Sequence, residues 1–290
     1  MLDIETETLG LIGYPLGHSI SPLLHNHACK KLDLNYVYLP FEIEPDNLKR
    51  GIAGIKALKI KGVNVTIPYK KKVIPYLDKL DDMAEEIGAV NTIINNGQKL
   101  YGYNTDASGF KKMLNQDADF HIKGKKALLI GAGGASRAVG AVLCQNGIQE
   151  LTLINRTRDK ADKLADSWKK QYPGLKINSG GIEKDFYNSY IKDTDIVIDT
   201  TPVGMAPETD VEPVISTELF HSNLLVVDLV YNPPETTILK AAREVGAETL
   251  NGLTMLLYQA SDAFELWTGQ KPDIKSWYQL VANEMNFPHQ

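Results

Sequence analysis

Cysteine is scarce in this 290-residue chain: there are two, Cys29 and Cys144, far apart in sequence and each within an apolar helical pattern. A disulfide framework is therefore excluded, and two buried, reduced thiols of a cytoplasmic protein are expected. Excess positive charge is also lacking. The formal balance is -5, which argues against nucleic acid or an acidic membrane surface as the main partner. No apolar run approaches the roughly 20 residues that a membrane span requires. The opening Met1 to Thr8 is acidic where a secretory leader would be basic and then apolar, so none is expected. Low-complexity segments and internal repeats are missing as well. What is present, 43% hydrophobic and 23% charged residues, suits a globular protein of one large or two ordinary domains, each able to bury a core.

Strand-like runs alternate with helical patterns along the chain, which predicts an α/β architecture with mostly parallel strands. Strands are expected near Leu9-Ile12, Tyr36-Phe41 and Gly62-Val65, with helices near Pro22-Lys31 and Pro45-Leu58. Asn91-Ile94 and Leu100-Tyr103 read as a hairpin around Asn96-Gly97. Polar residues from Asn115 to Gly124 separate this half from a second one. There the order is strand from Lys126, glycine turn, helix Ala135-Gln145, strand Leu151-Ile154 and helix Asp159-Gln171, with further strands near Asp195-Asp199 and Leu224-Leu229. From Gly252 onward the pattern is two helices.

Gly131-Ala132-Gly133-Gly134-Ala135-Ser136 follows a buried-type strand and opens a helix. In that context glycines allow a tight turn and let the backbone approach a pyrophosphate, which the helix N-terminus then stabilises. Ser136 stands where glycine or alanine is usual, which predicts slightly looser helix packing. The end of the next strand selects the cofactor. An acid that would bind a ribose 2'-hydroxyl is absent, and Asn155-Arg156-Thr157-Arg158 with Lys160 stands there instead. Cations at a helix start oppose its dipole, so the cluster points to an anion, the 2'-phosphate of NADP.

Asn64-Val65-Thr66-Ile67-Pro68-Tyr69-Lys70 is a strand that stops at a proline and presents a lysine. A lysine can handle protons when its surroundings are built for it. Lys70, Lys71 and Lys72 are consecutive, and a solvated lysine face competes with that reading. Downstream, Asn104-Thr105-Asp106 suits a helix cap, and Asp106 would also orient a lysine ammonium. In Gly13-Tyr14-Pro15-Leu16-Gly17-His18-Ser19-Ile20-Ser21-Pro22, Ser21 is expected as an N-cap with Pro22 at the first helical position. Ser19 beside it makes a small anion site suited to a carboxylate. His18, His25 and His27 invite a metal, but positions 25 and 27 point apart on a helix, so no metal site is expected.

Together these segments resemble the shikimate dehydrogenases. Gly17-His18-Ser19-Ile20-Ser21-Pro22, Asn64 to Lys70, Gly88-Ala89-Val90-Asn91-Thr92, Asn104-Thr105-Asp106 and Gly131 to Ala135 occur in that family's order. Asn155-Arg156-Thr157, Thr201-Pro202-Val203-Gly204-Met205 and Gly252-Leu253-Thr254-Met255 continue it. The resemblance implies an N-terminal α/β substrate domain, a Rossmann-type dinucleotide-binding domain, and C-terminal helices packing back on the N-terminal domain. The substrate domain would span residues 1–105 with about 253–290, and the NADP domain residues 106–252. It also implies reversible NADPH-dependent reduction of 3-dehydroshikimate to shikimate, in the route to aromatic amino acids. Lys70 and Asp106 would be catalytic, and Ser19, Ser21, Thr66, Asn91, Tyr231 and Gln259 would bind substrate. Cofactor contacts would be Gly131, Ala132, Gly133, Gly134, Ala135, Asn155, Arg156, Thr157, Arg158, Lys160, Leu229 and Gly252, with Asp82 also facing the cofactor.

Two departures stand out. Lys160 replaces a common arginine, which would soften the NADP preference. Asp199 stands where an uncharged asparagine is expected, and near a diphosphate it must turn away or pair locally. The alternatives are a quinate/shikimate dehydrogenase of broader substrate and cofactor range and a non-catalytic NADP-sensing regulator. Monomer and homodimer are both compatible with the sequence.

Overall fold

The computed structural model describes residues 2–17 and 19–285, so His18 of the serine loop lies outside the described residues. The chain forms two units, Met1–Gly109 with Leu257–Gln290, and Phe110–Leu256. Both crossings fall inside continuous helices, a few residues beyond the divisions suggested by the sequence motifs.

The first unit begins with β1 (Glu7–Gly13), α1 (Ser21–Lys31), β2 (Tyr36–Glu42), α2 (Leu48–Ala57) and β3 (Gly62–Val65). It continues through β4 (Lys79–Leu80), α3 (Asp82–Ile87), β5 (Thr92–Asn95), β6 (Leu100–Tyr103) and the start of α4 (Thr105–Asp117). Its sheet has the order β2-β1-β3-β5-β6-β4. The β1, β2 and β3 strands are parallel, whereas β5 is antiparallel to both β3 and β6. β3 is buried along its whole length, as expected of a central strand covered on both faces.

The second unit is a regular doubly wound sheet. Its elements are β7 (Lys126–Ile130), α5 (Gly134–Gln145), β8 (Glu150–Ile154), α6 (Arg158–Gln171), β9 (Lys176–Gly180) and α7 (Lys184–Ile191). They are followed by β10 (Ile196–Asp199), β11 (Leu225–Asp228), α8 (Thr237–Glu244) and β12 (Glu248–Asn251). Every pairing is parallel, in the order β12-β11-β10-β7-β8-β9. The order reverses between β7 and β10, and in such sheets ligands bind outside the carboxyl ends of the strands at that switch point. A core of Leu128, Ile130, Val197, Val226, Ile238 and Leu239 joins this sheet to its helices.

The C-terminal helices α9 (Leu253–Thr268) and α10 (Ile274–Glu284) complete the first unit. Ala263 and Trp267 of α9 pack on Leu9, Leu11 and Tyr38, and the Trp267 indole donates to the Ile93 carbonyl at 3.0 Å. The edge strands β9 and β12 were not legible in the sequence. KINSG and ETLN are short, polar and half-exposed, so neither alternation nor an apolar run marks them. Among the described residues no helix is long and apolar enough to cross a membrane. Cys29 and Cys144 are both buried, and no disulfide joins them.

Candidate active site

In the first unit, the end of β3 and the turn after it set up a proton-handling group. Tyr69 and Val73 are fully buried, and the Lys70 carbonyl accepts from Val90 N at 2.7 Å. These anchors fix the phase of the turn. Lys71 and Lys72 are left exposed, while Lys70 turns inward and donates to Asp106 Oδ2 at 2.6 Å. The two side chains are 21% and 10% exposed. A pair this withdrawn from water is screened far less than a surface ion pair.

Asp106 lies in the first turn of α4. Asn104 caps that helix, its Oδ1 accepting from Ala107 N at 3.3 Å, so the motif serves both as cap and as carboxylate carrier. The second Asp106 oxygen accepts from Asn91 Nδ2 at 2.9 Å. The Asn91 amide also reaches Thr105 Oγ1 at 2.9 Å and Gln259 Oε1 at 3.2 Å, and its oxygen accepts from Thr105 N at 2.7 Å. The structure thus brings Lys70, Asp106, Asn91 and Gln259 into one cluster. Its remaining members, Thr92 and Thr105, were missed at the sequence level. Another missed residue, Asn64, carried a signal: it is a buried polar residue inside an otherwise apolar strand.

Around the serine loop the structure corrects one expectation. Ser21 is the first residue of α1 rather than its N-cap; Ile20 occupies the cap position, with no side-chain cap bond. Ser19 Oγ accepts from Ser21 N at 3.3 Å, so the upstream serine supplies the acceptor at this helix start. Both serines are half-buried, as is Thr66 in the turn after β3. His25 lies fully buried between the Tyr38 and Phe264 rings, with centroids at 4.4 and 5.9 Å. Burial pushes it down to about 3, so it is a neutral core residue. The described residues hold no cluster of three or more histidine, cysteine or acidic side chains that could bind a metal. Asp82 opens α3, exposed to solvent.

In the second unit the glycine turn follows β7. Gly131 has φ +107, and a Cβ there would lie 2.5 Å from Thr200 Oγ1, so glycine is required on both counts. Ser136 is where the expectation of looser packing fails. It is fully buried, and its hydroxyl accepts from Gly133 N at 3.0 Å and meets Thr200 Oγ1 at 2.6 Å. Thr200 has already committed its proton to the Ile130 carbonyl, also at 2.6 Å. Ser136 is therefore the donor between them, and it ties α5 to the end of β10 instead of loosening it.

Ala132 to Ala135 are accessible along the turn, apart from its neighbour Gly131. After β8, Asn155 Nδ2 donates to the Thr157 carbonyl at 2.9 Å, and residues 156–160 are exposed. Arg158 has Asp162 at 3.4 Å; among the described residues, no carboxylate pairs with Arg156 or Lys160. Bare cations beside a glycine turn at a helix N-terminus fit a phosphorylated dinucleotide. Gly252 is likewise obligatory, since a Cβ would lie 2.0 Å from the Leu229 carbonyl oxygen. Tyr231, two residues beyond Leu229, is half-buried.

Asp199 turns away from solvent and pairs locally. It is 2% exposed, and its Oδ1 accepts from Thr201 N at 2.8 Å. Its partner in register on β11 is Asp228, fully buried, which accepts from Val230 N at 2.9 Å and from Thr236 Oγ1 at 2.6 Å. Burial raises Asp199 to about 6. Burial, then the neighbouring Asp199 charge, raises Asp228 to about 7.

A nucleotide-type sheet in one unit and a proton-handling cluster in the other is the build of an α/β oxidoreductase. Comparison with known proteins makes the assignment specific. Residues 11–93 match the shikimate dehydrogenase substrate binding domain, residues 112–238 match shikimate / quinate 5-dehydrogenase, and residues 252–281 match the shikimate 5'-dehydrogenase C-terminal domain. The shikimate dehydrogenase (NADP(+)) of Halothermothrix orenii is 61% identical over 274 residues, covering 94% of this chain and 95% of that one. A crystal structure of a shikimate dehydrogenase in complex with NADP+ superposes with a TM-score of 0.91 at 41% identity, covering 98% of both chains. The Listeria monocytogenes shikimate 5-dehydrogenase, solved with shikimate and NAD, gives 0.90 at 36% identity, over 97% of this chain and 98% of that one. The chain belongs to the shikimate dehydrogenase family.

Proposed function

We propose that the chain is an NADP-dependent shikimate dehydrogenase that reversibly reduces 3-dehydroshikimate to shikimate, in the route to aromatic amino acids. The Lys70–Asp106 pair at 2.6 Å, with Asn91 on the second carboxylate oxygen, carries the reading. Bound NADPH would supply the hydride. As the carbonyl carbon accepts it, the carbonyl oxygen becomes an alkoxide, and Lys70 Nζ gives that oxygen a proton. Asp106 aims the Lys70 Nζ before the reaction starts, so reorganisation adds little to the barrier. Positioned proton transfer of this kind is worth roughly 10²–10⁴ in rate. In the reverse direction Lys70, as the neutral amine that the forward transfer leaves, takes the hydroxyl proton as hydride leaves the carbinol carbon.

Ser19 and Ser21 suit the substrate carboxylate: their hydroxyls share a helix N-terminus, where the backbone dipole favours negative charge. Thr66, Asn91, Gln259 and Tyr231 would contact the remainder of the substrate. On the nucleotide, Gly131 to Ala135 would cradle the pyrophosphate, and Asn155 to Arg158 with Lys160 would hold the 2'-phosphate. Leu229 and Gly252 would lie near the nicotinamide, with Asp82 a further cofactor contact. Two buried cysteines with no disulfide between them suit a cytoplasmic enzyme, working as a monomer or homodimer.

Initial rates of shikimate oxidation, with NADP and then NAD, and with quinate as second substrate, test the proposal. Rapid NADP-dependent oxidation of shikimate with little turnover of quinate is expected. Comparable rates on quinate or with NAD would move the assignment to a broader quinate/shikimate dehydrogenase. Tight NADP binding without turnover would leave a nucleotide-sensing protein.

A further inference from the structure

The polar groups buried in the first unit form a continuous chain that extends well beyond the acid/base pair. It starts at Tyr38 on the edge strand β2, 1% exposed. The Tyr38 backbone is clamped by one amide of α1: Asn26 Nδ2 donates to the Tyr38 carbonyl at 2.9 Å, and Tyr38 N donates to Asn26 Oδ1 at 2.8 Å. The ring stacks on His25. With backbone and ring both held, the Tyr38 hydroxyl donates to Asn64 Oδ1 at 2.7 Å. Burial pushes this phenol well above its ordinary value, against a smaller opposing pull from Ser21, so it keeps its proton and remains a donor.

Donor and acceptor counting then fixes the remaining links. Because Asn64 Oδ1 faces Tyr38, its Nδ2 must face the other way, toward Thr92 Oγ1 at 3.3 Å and the Asn91 carbonyl at 3.4 Å. Thr92, fully buried on β5 and in register with Asn64, accepts from that amide and offers its own proton to Asn91 Oδ1 at 3.1 Å, with Thr105 Oγ1 beside it at 3.3 Å. Asn91 Oδ1 thereby has Thr92, Thr105 N and, at 3.2 Å, Thr105 Oγ1 as donors, which leaves Nδ2 facing Asp106 Oδ1. A flipped amide at either asparagine would oppose donor to donor or acceptor to acceptor.

We propose that Tyr38 and Thr92 are positioning residues of the acid/base centre. Tyr38 acts through Asn64 on Thr92, and Thr92 bonds Asn91 directly; together they fix the orientation of the Asn91 amide and hence that of the Asp106 carboxylate that aims Lys70. Neither touches the reacting atoms. The inference rests on the dehydrogenase reading of the Lys70–Asp106 pair. An unbroken one-way chain also makes a distinctive prediction: breaking it twice costs little more than breaking it once.

The test is shikimate oxidation by wild type, Tyr38→Phe, Thr92→Val, the double variant and Thr92→Ser, with melting temperature and the NADP Michaelis constant measured alongside. Each single break is expected to lower kcat by about two- to thirteenfold, the range that one lost hydrogen bond worth roughly 0.5–1.5 kcal/mol produces. The double variant should fall no more than about twofold below the worse single one. Thr92→Ser should recover most of the wild-type rate, and the NADP Michaelis constant should not move in any of them. Multiplicative losses, failure of Thr92→Ser to rescue, or a parallel rise in the NADP Michaelis constant would mark a general packing role and overturn the inference. So would wild-type rates in both single variants. If Tyr38→Phe does not fold, Thr92→Val against Thr92→Ser decides. A wild-type protein without shikimate turnover removes the dehydrogenase reading and the inference together, whereas active wild type with unaffected variants removes only the inference.

Discussion

The two units hold their charged groups in opposite ways. In the first unit the ammonium of Lys70 already has its carboxylate, and that carboxylate already has an asparagine behind it. In the second, Arg156 and Lys160 are exposed around the start of α6 and pair with no carboxylate among the described residues, while the carboxylates of Asp199 and Asp228 are buried in β10 and β11. Groups that must move a proton along a defined line benefit from being aimed in advance, since reorganisation during reaction adds to the barrier. Groups that must capture an anion benefit from leaving their charge uncompensated until it arrives. The first arrangement therefore predicts sensitivity in turnover, and the second predicts sensitivity in nucleotide affinity.

The sharpest break in this contrast is Asp106→Asn. It leaves a hydrogen-bonding group of the same shape but removes the negative charge that pairs with Lys70 at 2.6 Å. Steady-state kinetics should show kcat down by about a hundredfold or more, with the NADP Michaelis constant within about twofold of wild type. In the other unit Arg156→Ala should weaken NADP by about tenfold while leaving NAD unchanged, the loss expected of one partly solvated, charge-assisted hydrogen bond. Equal losses for the two nucleotides would show that Arg156 does not read the 2'-phosphate.

A smaller effect follows from the buried titratable groups, and it too divides by unit. His25 in the first unit is pushed down to about 3 from 6.5. Below pH 6.5 the unfolded chain takes a proton that the folded chain refuses, so stability falls as pH falls toward 3. Asp199 and Asp228 in the second unit are raised from 3.8 to about 6 and about 7. Their contribution has the opposite sign: it is fully present below pH 3.8 and is lost as pH rises through 6 to 7, because the folded chain retains protons that the unfolded chain releases. Asp199→Asn keeps an acceptor for Thr201 N and removes the buried charge. Thermal melting at pH 8 should rise by about 2–6 °C, for a gain of roughly 1–2 kcal/mol, and the gain should shrink toward zero at pH 4. A gain independent of pH would show that the Asp199 charge is not its source.

The same contrast explains what the sequence could reveal. The second unit is regular and local: strand, glycine turn and helix follow one another, and the basic cluster lies within six residues from Asn155 to Lys160, so an NADP cofactor could be read from the spacing of these segments. The first unit builds its centre from β3, β5, α4 and α9, with Gln259 meeting Asn91 across most of the chain. Nothing local distinguished Lys70 from Lys71 and Lys72. The resemblance selected it, and the physical reason, the burial of Tyr69 and Val73 on either side, emerges only in the fold. Tyr38 was hidden for a related reason. On an edge strand its pattern is that of a packed aromatic, and only pairing across the sheet shows where the hydroxyl goes. Ser21 shows the limit of cap rules: serine followed by proline suits the N-cap, yet α1 starts one residue earlier because Ile20 already has helical dihedrals.

The separation of tasks is tested most directly by Lys70→Ala, measured for shikimate turnover and for NADP binding by equilibrium titration on the same preparation. Turnover is predicted to fall by roughly 10²–10⁴ while the NADP dissociation constant stays within about twofold of wild type. Turnover within tenfold of wild type, or nucleotide affinity falling in step with it, would contradict the account.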